Sequence, residues 1–308
     1  MKIIILFSSI ILLFSCSGNS DNEEETARVN EESFLEFKSF EEKISYCIGL
    51  DHAFSAYTVY SAPDTKSKFE LSQIEAGMVD YLYGNELRIP FEARDSIFTY
   101  YLLPDGTVDE NAIPKIDASY AVGMEEGYVL VGSLVGRGID QIIDVEMLVK
   151  GVRNGIKNLK PAVSLVEART EVANYYSDLN RENGELFLKE NAGRDSVIVT
   201  ESGLQYKIFK KGTGLSPNLT DTVIVHYTGR LIDGREFEST VPSGVPMQLS
   251  LMAVIPGWQE GILLMQEGGQ YRFFMPNELA YGEKGSGPIE PFCALVFDIE
   301  LLKVKRFK

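Results

Sequence analysis

Residues 223–229 read Val-Ile-Val-His-Tyr-Thr-Gly, and residues 295–302 read Leu-Val-Phe-Asp-Ile-Glu-Leu-Leu. In both segments the side chains separate into two alternating sets, as they do in β-strands that bury one face. In the first strand, the side chains of Val223, Val225 and Tyr227 are predicted to face the core. In the last strand, the side chains that are predicted to face the core are those of Leu295, Phe297, Ile299 and Leu301. Both segments therefore predict strands that share one core.

A short helix is predicted between these two strands. Ile255-Pro256-Gly257-Trp258 opens it, and residues 259–265 continue it. Ile262 and Met265 fall on the same apolar side as Trp258. One helix that covers an antiparallel sheet is an α+β arrangement. We therefore predict an α+β domain over residues 194–308.

The segment 37–193 is predicted to be mostly helical and contains an internal repeat. The hexapeptide at 45–50, Ser-Tyr-Cys-Ile-Gly-Leu, returns at 119–124 as Ser-Tyr-Ala-Val-Gly-Met, 74 positions later. Gly77 returns at the same offset as Gly151. Because the matching blocks keep their order and nearly their spacing, the pattern indicates a duplicated unit.

Each copy, 37–103 and 111–193, is predicted to form three helices. Tyr120, Gly123 and Gly127 fall on one face of a helix, and glycines there either permit close helix packing or merely loosen the helix. The third helix of the second copy, from Val163 to Lys189, predicts a stalk about 40 Å long. Its counterpart in the first copy is shortened by the turn Leu103-Pro104-Asp105-Gly106.

The amino terminus has the pattern of a secretory signal. Lys2 precedes an apolar run at 3–14, which as a helix spans about 18 Å and is too short for a hydrocarbon core of about 30 Å. The run ends in Leu13-Phe14-Ser15-Cys16, which resembles a bacterial lipobox. That resemblance implies a signal peptide at 1–15, lipid on Cys16, and an outer-membrane lipoprotein at the periplasmic face or the cell surface. The alternative is a plain signal peptide with an incidental cysteine.

The composition limits the classes of partner. The chain of 308 residues has 29 basic and 45 acidic side chains, a net charge of −16, which argues against nucleic acid as the main partner. Residues 16–36 are polar and acidic and predict a disordered tether. Two histidines without clustered cysteines or carboxylates predict no metal site. Cys47 and Cys293 have no framework spacing and are predicted to be buried rather than paired.

Motifs of the carboxyl-terminal segment resemble those of FKBP-type peptidyl-prolyl isomerases, in the family's order and near its spacing. They are Val-His-Tyr-Thr-Gly (225–229), Asp-Gly-x-x-Phe (233–237), Val-Ile-Pro-Gly-Trp (254–258), Ala-Tyr-Gly (280–282) and the last strand (295–302). The helical segment resembles the amino-terminal domain of the Mip/FkpA type of bacterial FKBP proteins. The chain departs from that type because it carries two copies of the unit.

The resemblance implies a prolyl isomerase that needs no cofactor and acts on unfolded or proline-containing polypeptides. It implies an apolar bowl with Trp258 as the floor. The walls are Tyr227, Phe237 and Phe297. The Ile255 N–H and the Tyr281 hydroxyl would bind substrate carbonyls, and Val254 would complete the rim.

Departures from the family pattern leave a rival function open. Glu238 stands where the family has aspartate, and Met247 stands where it has a second-wall phenylalanine. Ile289-Glu290-Pro291 replaces Ile-Pro-Pro and is predicted to place a charge beside Tyr281. These changes put the catalytic rate in doubt more than the fold. The rival is a non-catalytic holdase chaperone or binding module with a weakened isomerase site.

The duplication also predicts the assembly. In the resembling proteins two chains interlock one helical unit each into a dimer. Two copies on one chain can satisfy each other, and the short connection gives them a high effective concentration. We therefore predict a monomer with an intramolecular pseudo-dimer. The alternative is a family-like dimer with the first copy as an appendage.

Overall fold

The computed structural model describes residues 35–102 and 107–307. The predicted signal peptide, Cys16 and most of the acidic tether lie outside these ranges. Within the described residues, a helical part precedes an antiparallel sheet, so the α+β class is confirmed. No helix in this part of the chain is long and apolar enough to cross a bilayer.

Each of the two copies contributes helices in the predicted order. The helices are α1 (Phe40–Tyr60), α2 (Leu71–Tyr83), α3 (Arg94–Tyr101), α4 (Lys115–Gly136), α5 (Val145–Ile156) and α6 (Leu165–Ala192). Side-chain caps fix several of the starts. The Ser39 side chain accepts a hydrogen bond from the Glu42 N–H, and the Asp144 side chain accepts one from the Met147 N–H. Such caps satisfy backbone donors that have no partner within the helix.

The third helices differ in length as the sequence predicts. α3 has 8 residues, whereas α6 has 28. α6 begins at Leu165 rather than at Val163 because Ser164 caps it and accepts from the Glu167 N–H. At about 1.5 Å per residue, α6 is a stalk of roughly 42 Å.

The two copies are interlocked rather than stacked. The first helix of each copy packs on the second helix of the other, so α1 lies on α5 and α4 lies on α2. A Cβ on Gly49 would lie 2.1 Å from the Leu148 carbonyl oxygen, and a Cβ on Gly123 would lie 2.1 Å from the Ile74 carbonyl oxygen. The glycines therefore serve close helix packing, which decides between the two roles that the sequence left open.

Hydrogen bonds between the copies repeat with the same offset. The Ser45 hydroxyl accepts from the Asp144 N–H at 2.9 Å, and the Ser119 hydroxyl accepts from the Glu70 N–H at 2.9 Å. The Tyr46 hydroxyl likewise accepts from the Ala162 N–H at 2.9 Å. Its counterpart, the Tyr120 hydroxyl, accepts from the Arg88 N–H at 3.3 Å. The two copies are thus related by an approximate twofold axis within one chain.

The sheet lies in the carboxyl-terminal part. Its strands are β1 (Ile198–Val199), β2 (Gln205–Lys210), β3 (Thr222–Leu231), β4 (Glu236–Ser239), β5 (Met247–Ser250), β6 (Gln270–Met275) and β7 (Leu295–Lys305). The order is β1-β2-β6-β7-β3-β4, with β5 also paired to β3, and every pairing is antiparallel. β3 and β7 therefore form the centre of the sheet, as their alternating patterns predict.

The core lies between this sheet and the helix α7 (Pro256–Leu263). The predicted inward sets of both central strands are buried, and so are Trp258, Ile262 and Met265. Ile255 occupies the N-cap position of α7 without a side-chain hydrogen bond, and Pro256 follows in the first turn, where its missing N–H costs no hydrogen bond. This helix start places Trp258 in the core, where it is buried.

Candidate active site

Aromatic rings from the central strands and α7 meet at one end of the core. The Trp258 ring lies edge-to-face against Tyr227 at 4.9 Å and against Phe297 at 5.3 Å between centroids. Phe237 on β4 meets Phe297 at 5.7 Å, again edge-to-face. Such arrangements are the favoured ones for aromatic pairs. The structure therefore brings together the floor and the walls of the bowl that the sequence predicted.

Gly229 makes room for two of these predicted walls, a role that its motif alone does not reveal. A Cβ at this position would lie 2.6 Å from Phe237 Cε2 and 2.8 Å from Phe297 Cε1. A glycine inside a strand often marks such a close approach. The signal was therefore present in the motif at 225–229, but only the packing shows which rings use the space.

The predicted rim residues pack against the core that contains this cluster. Val254, Ile255 and Tyr281 are partly buried and pack against the core. The Val254 carbonyl accepts from the Gln259 side-chain amide at 3.0 Å, which fixes the segment that leads into α7. Tyr281 precedes a short 3-10 helix at Gly282–Lys284. The predicted rim residues thus come from two separate parts of the chain, at 254–255 and at 281.

Glu238 couples to both pocket tyrosines. Burial, followed by a hydrogen bond with the Glu238 carboxylate, raises the pKa of the Tyr227 phenol. Burial and the nearby Glu238 charge also raise the pKa of Tyr281. A phenol of ordinary pKa, about 10, already keeps its proton at neutral pH, so both hydroxyls are hydrogen-bond donors there. The extra methylene of Glu238, relative to aspartate, does not prevent this interaction.

The other predicted pocket residues lie in different surroundings. Ile289 is buried within the core cluster. Met247 lies on β5 in register with Val225 and is 39% exposed. The Glu290 carboxylate is paired with Arg137 from the helical part rather than left as a lone charge beside Tyr281. The sequence could not indicate this partner, because the two residues lie 153 positions apart.

The histidines and cysteines have structural surroundings. His226 Nδ1 lies 3.0 Å from Thr240 Oγ1, and His52 contacts Glu126 at the interface of the two copies. Cys47 is buried and Cys293 is half-buried, and both are free thiols. Across residues 35–102 and 107–307, no group of three or more histidine, cysteine, aspartate or glutamate side chains could hold a metal ion.

Comparisons with known proteins place this chain in a family. Residues 214–302 match the family described as "FKBP-type peptidyl-prolyl cis-trans isomerase". A 22 kDa FKBP-type isomerase of Escherichia coli K12 is 39% identical over 201 residues, which span 62% of this chain and 95% of that protein. The chain belongs to the FKBP-type peptidyl-prolyl cis-trans isomerases. It is therefore an enzyme of X–Pro isomerisation.

Further relatives of this isomerase come from the same bacterial branch. FkpA of Aeromonas hydrophila is 38% identical over 205 residues, which span 61% of this chain and 76% of that protein. The outer membrane protein MIP of Legionella longbeachae is 36% identical over 207 residues, 62% of this chain and 86% of that protein. The crystal structure of FkpA from Escherichia coli has a TM-score of 0.44 at 31% identity, covering 64% of this chain and 97% of that chain.

The helical part of the isomerase matches only from its second copy onward. Residues 115–208 match the family described as "Domain amino terminal to FKBP-type peptidyl-prolyl isomerase". This range holds α4, α5 and α6 and continues into the sheet. The first copy, 37–103, lies outside both matched ranges, so the duplication distinguishes this chain from the unit that the family profile describes.

Proposed function

We propose that this isomerase accelerates X–Pro isomerisation in unfolded or slowly folding polypeptides outside the cytoplasm. The observation that supports this most directly is the edge-to-face cluster of Trp258 with Tyr227 and Phe297. An apolar, concave ring cluster suits the prolyl ring. The relatives named FkpA and MIP, one of which is described as an outer membrane protein, support the compartment.

The chemistry requires no nucleophile and no acid–base pair. The barrier to rotation, about 18–20 kcal/mol, arises from amide resonance. An enzyme lowers it by binding the twisted amide more tightly than either planar isomer. Here Trp258 would support the prolyl ring, while the Ile255 N–H and the Tyr281 hydroxyl would hold the flanking carbonyls. Each tenfold acceleration needs only about 1.4 kcal/mol of such differential binding.

A protease-coupled assay on a proline-containing peptide tests this function. We expect the purified full chain to accelerate the slow cis-to-trans phase at catalytic concentrations. The non-catalytic holdase would instead suppress aggregation of an unfolded protein while leaving the peptide phase unchanged. A peptide phase that is unaffected by the chain would contradict the proposed function.

The chain is proposed to be an outer-membrane lipoprotein anchored through Cys16. Buried acyl methylenes each contribute about 0.8 kcal/mol to anchoring, which is ample for several chains. We expect the wild-type chain to partition into detergent, and Cys16→Ser to release it or to block its maturation. Cys47→Ala is the matched control, because the second copy already carries Ala121 at the equivalent position. Normal maturation and membrane retention of Cys16→Ser would refute the lipid anchor.

The isomerase is further proposed to be a monomer with an intramolecular pseudo-dimer. The support is the interlocked packing of α1 on α5 and α4 on α2 within one chain. The connection from Pro104 to Lys115 can extend to about 40 Å, which is enough to join the copies. Light scattering is expected to give the mass of one chain throughout the micromolar range. A stable mass of two chains that resists dilution would show instead that the chain forms a family-like dimer.

A further inference from the structure

A charged contact joins the helical part to the loop that follows Tyr281. Arg137, the C-cap residue that follows α4, has a side chain only 10% exposed. Its Nη1 donates to Glu290 Oε2 at 2.7 Å, and its Nη2 donates to Glu290 Oε1. The guanidinium also lies 3.8 Å from the centroid of the Tyr176 ring on α6. This two-pronged pairing fixes both the distance and the orientation of the carboxylate.

The stalk helix α6 holds the residues that follow Glu290. Asn180 Nδ2 donates to the Pro291 carbonyl at 3.1 Å and to Glu290 Oε2 at 3.3 Å. The Arg181 guanidinium lies 4.0 Å from the centroid of the Phe292 ring. Consecutive residues of the loop are therefore held by the helical part, each through a different kind of contact.

Backbone hydrogen bonds also tie this loop to itself. The Phe292 N–H donates to the Gly282 carbonyl at 2.9 Å. Ser286 and Ile289 exchange backbone hydrogen bonds at 2.8 and 2.9 Å. Phe292 has a φ of 59°, a left-handed conformation that side chains other than glycine rarely adopt without support. A displacement at 290–292 would therefore be transmitted to both ends of the loop.

Removing only Arg137 from the ion pair with Glu290 should cost free energy. Hydrogen bonding to Arg137 holds the pKa of the Glu290 carboxyl below its ordinary value. Removing the guanidinium would leave that carboxylate partly buried without its main partner, which is the unfavourable case for a buried ion pair. For the Glu290 carboxylate to become hydrated again, the loop must rearrange locally.

We propose that Arg137 and Glu290 form a clamp through which the second helical copy positions the loop at 282–292. Through this loop the clamp positions two pocket residues, Tyr281 and Ile289. Arg137 is thus a positioning residue and not a catalytic one. The clamp depends on the proposed function in one respect, namely that Tyr281 and Ile289 contact the substrate. The helical copies then contribute to the isomerase site as well as to assembly.

Hydrogen–deuterium exchange and steady-state kinetics on the full chain test the clamp. In Arg137→Ala we expect amide exchange within 282–293 to be about tenfold faster, which corresponds to about 1.4 kcal/mol of lost local protection. We expect kcat to fall about three- to tenfold while KM changes little, because the mispositioned donor acts mainly in the transition state. Glu290→Gln, which keeps the size of the side chain, should change both quantities in the same direction.

Arg94→Ala is the matched control. Arg94 also pairs with a glutamate, Glu125, but that pair lies wholly within the helical copies. It should leave exchange at 282–293 and kcat unchanged. The exchanged pair Arg137→Glu with Glu290→Arg should restore part of the protection. Glu290→Gln introduces no steric clash, so it can test the clamp even if Arg137→Ala does not fold.

Two results would overturn the clamp. One is wild-type exchange at 282–293 in both Arg137→Ala and Glu290→Gln. The other is an equal change in Arg94→Ala, which would show a general loss of stability rather than positioning. The failure of the proposed function is distinguishable, because it would appear as absent peptide activity in the wild-type chain, whereas the exchange measurement does not depend on activity.

Discussion

Gly123→Ala is expected to lower the free energy of unfolding by about 3 kcal/mol, the upper end of the range for an overpacked core. The new Cβ would lie 2.1 Å from the Ile74 carbonyl oxygen and 2.9 Å from the Met78 nitrogen. Backbone atoms on a facing helix cannot move aside as a flexible side chain can. α4 must therefore shift away from α2, and the loss should appear as a lower midpoint of urea unfolding at constant m-value.

The equivalent glycine of the first copy provides a second test variant, and an unpacked glycine on α4 provides a control. Gly49→Ala should cost a similar amount, because its Cβ would lie 2.1 Å from the Leu148 carbonyl oxygen. Gly132→Ala on α4 meets no atom within 4 Å and should stabilise the chain by about 0.5–1 kcal/mol through helix propensity. If Gly123→Ala and Gly132→Ala proved equally stable, the interlocked packing of the copies would be wrong.

Phe237→Ala is expected to lower kcat/KM by about tenfold to a hundredfold, or about 1.4–2.8 kcal/mol of transition-state stabilisation. The ring is a proposed wall of the bowl and lies 5.7 Å from Phe297 between centroids. Because it is only partly buried, its removal should affect catalysis more than stability. Tyr281→Phe keeps the apolar ring and removes only the hydroxyl, so it should lower kcat/KM with little effect on unfolding.

Phe209→Ala controls for the loss of a phenylalanine from the same sheet. Phe209 lies on β2 and is 55% exposed, and it takes no part in the ring cluster around Trp258. Its removal should leave kcat/KM on a proline-containing peptide near the wild-type value. Wild-type rates in both Phe237→Ala and Tyr281→Phe would remove these residues from the site.

The motif order carried most of the information about the pocket. Alternation in β3 and β7 predicted the inward side chains, and the structure buries Val223, Val225 and Tyr227 as expected. The aromatic set could be assigned because each member sits in a motif of fixed spacing. Met247 was predicted as a second-wall residue without a motif of this kind, and the structure leaves it 39% exposed on β5. The strand that carries it is short, and its exposure depends on which neighbours cover β5.

The duplication was visible in the sequence, but its packing was not. An offset of 74 relates Ser45 to Ser119, and glycines recur on one helix face. Nothing in that pattern states whether a glycine faces solvent or another backbone. Gly123 meets Ile74, whereas Gly132 in the same helix meets no atom within 4 Å. The partner helix decides the difference, and partner helices are set by long-range packing.

By itself the sequence determined the α+β class, the repeat, the isomerase family and the aromatic set, because each depends on local periodicity or on motifs of fixed spacing. Only the tertiary structure decided that the copies interlock, that Gly229 makes room for Phe237, and that Glu290 pairs with Arg137. These features join residues that are distant in the chain. Their energies arise from close contact and from burial of charge, and neither leaves a local pattern.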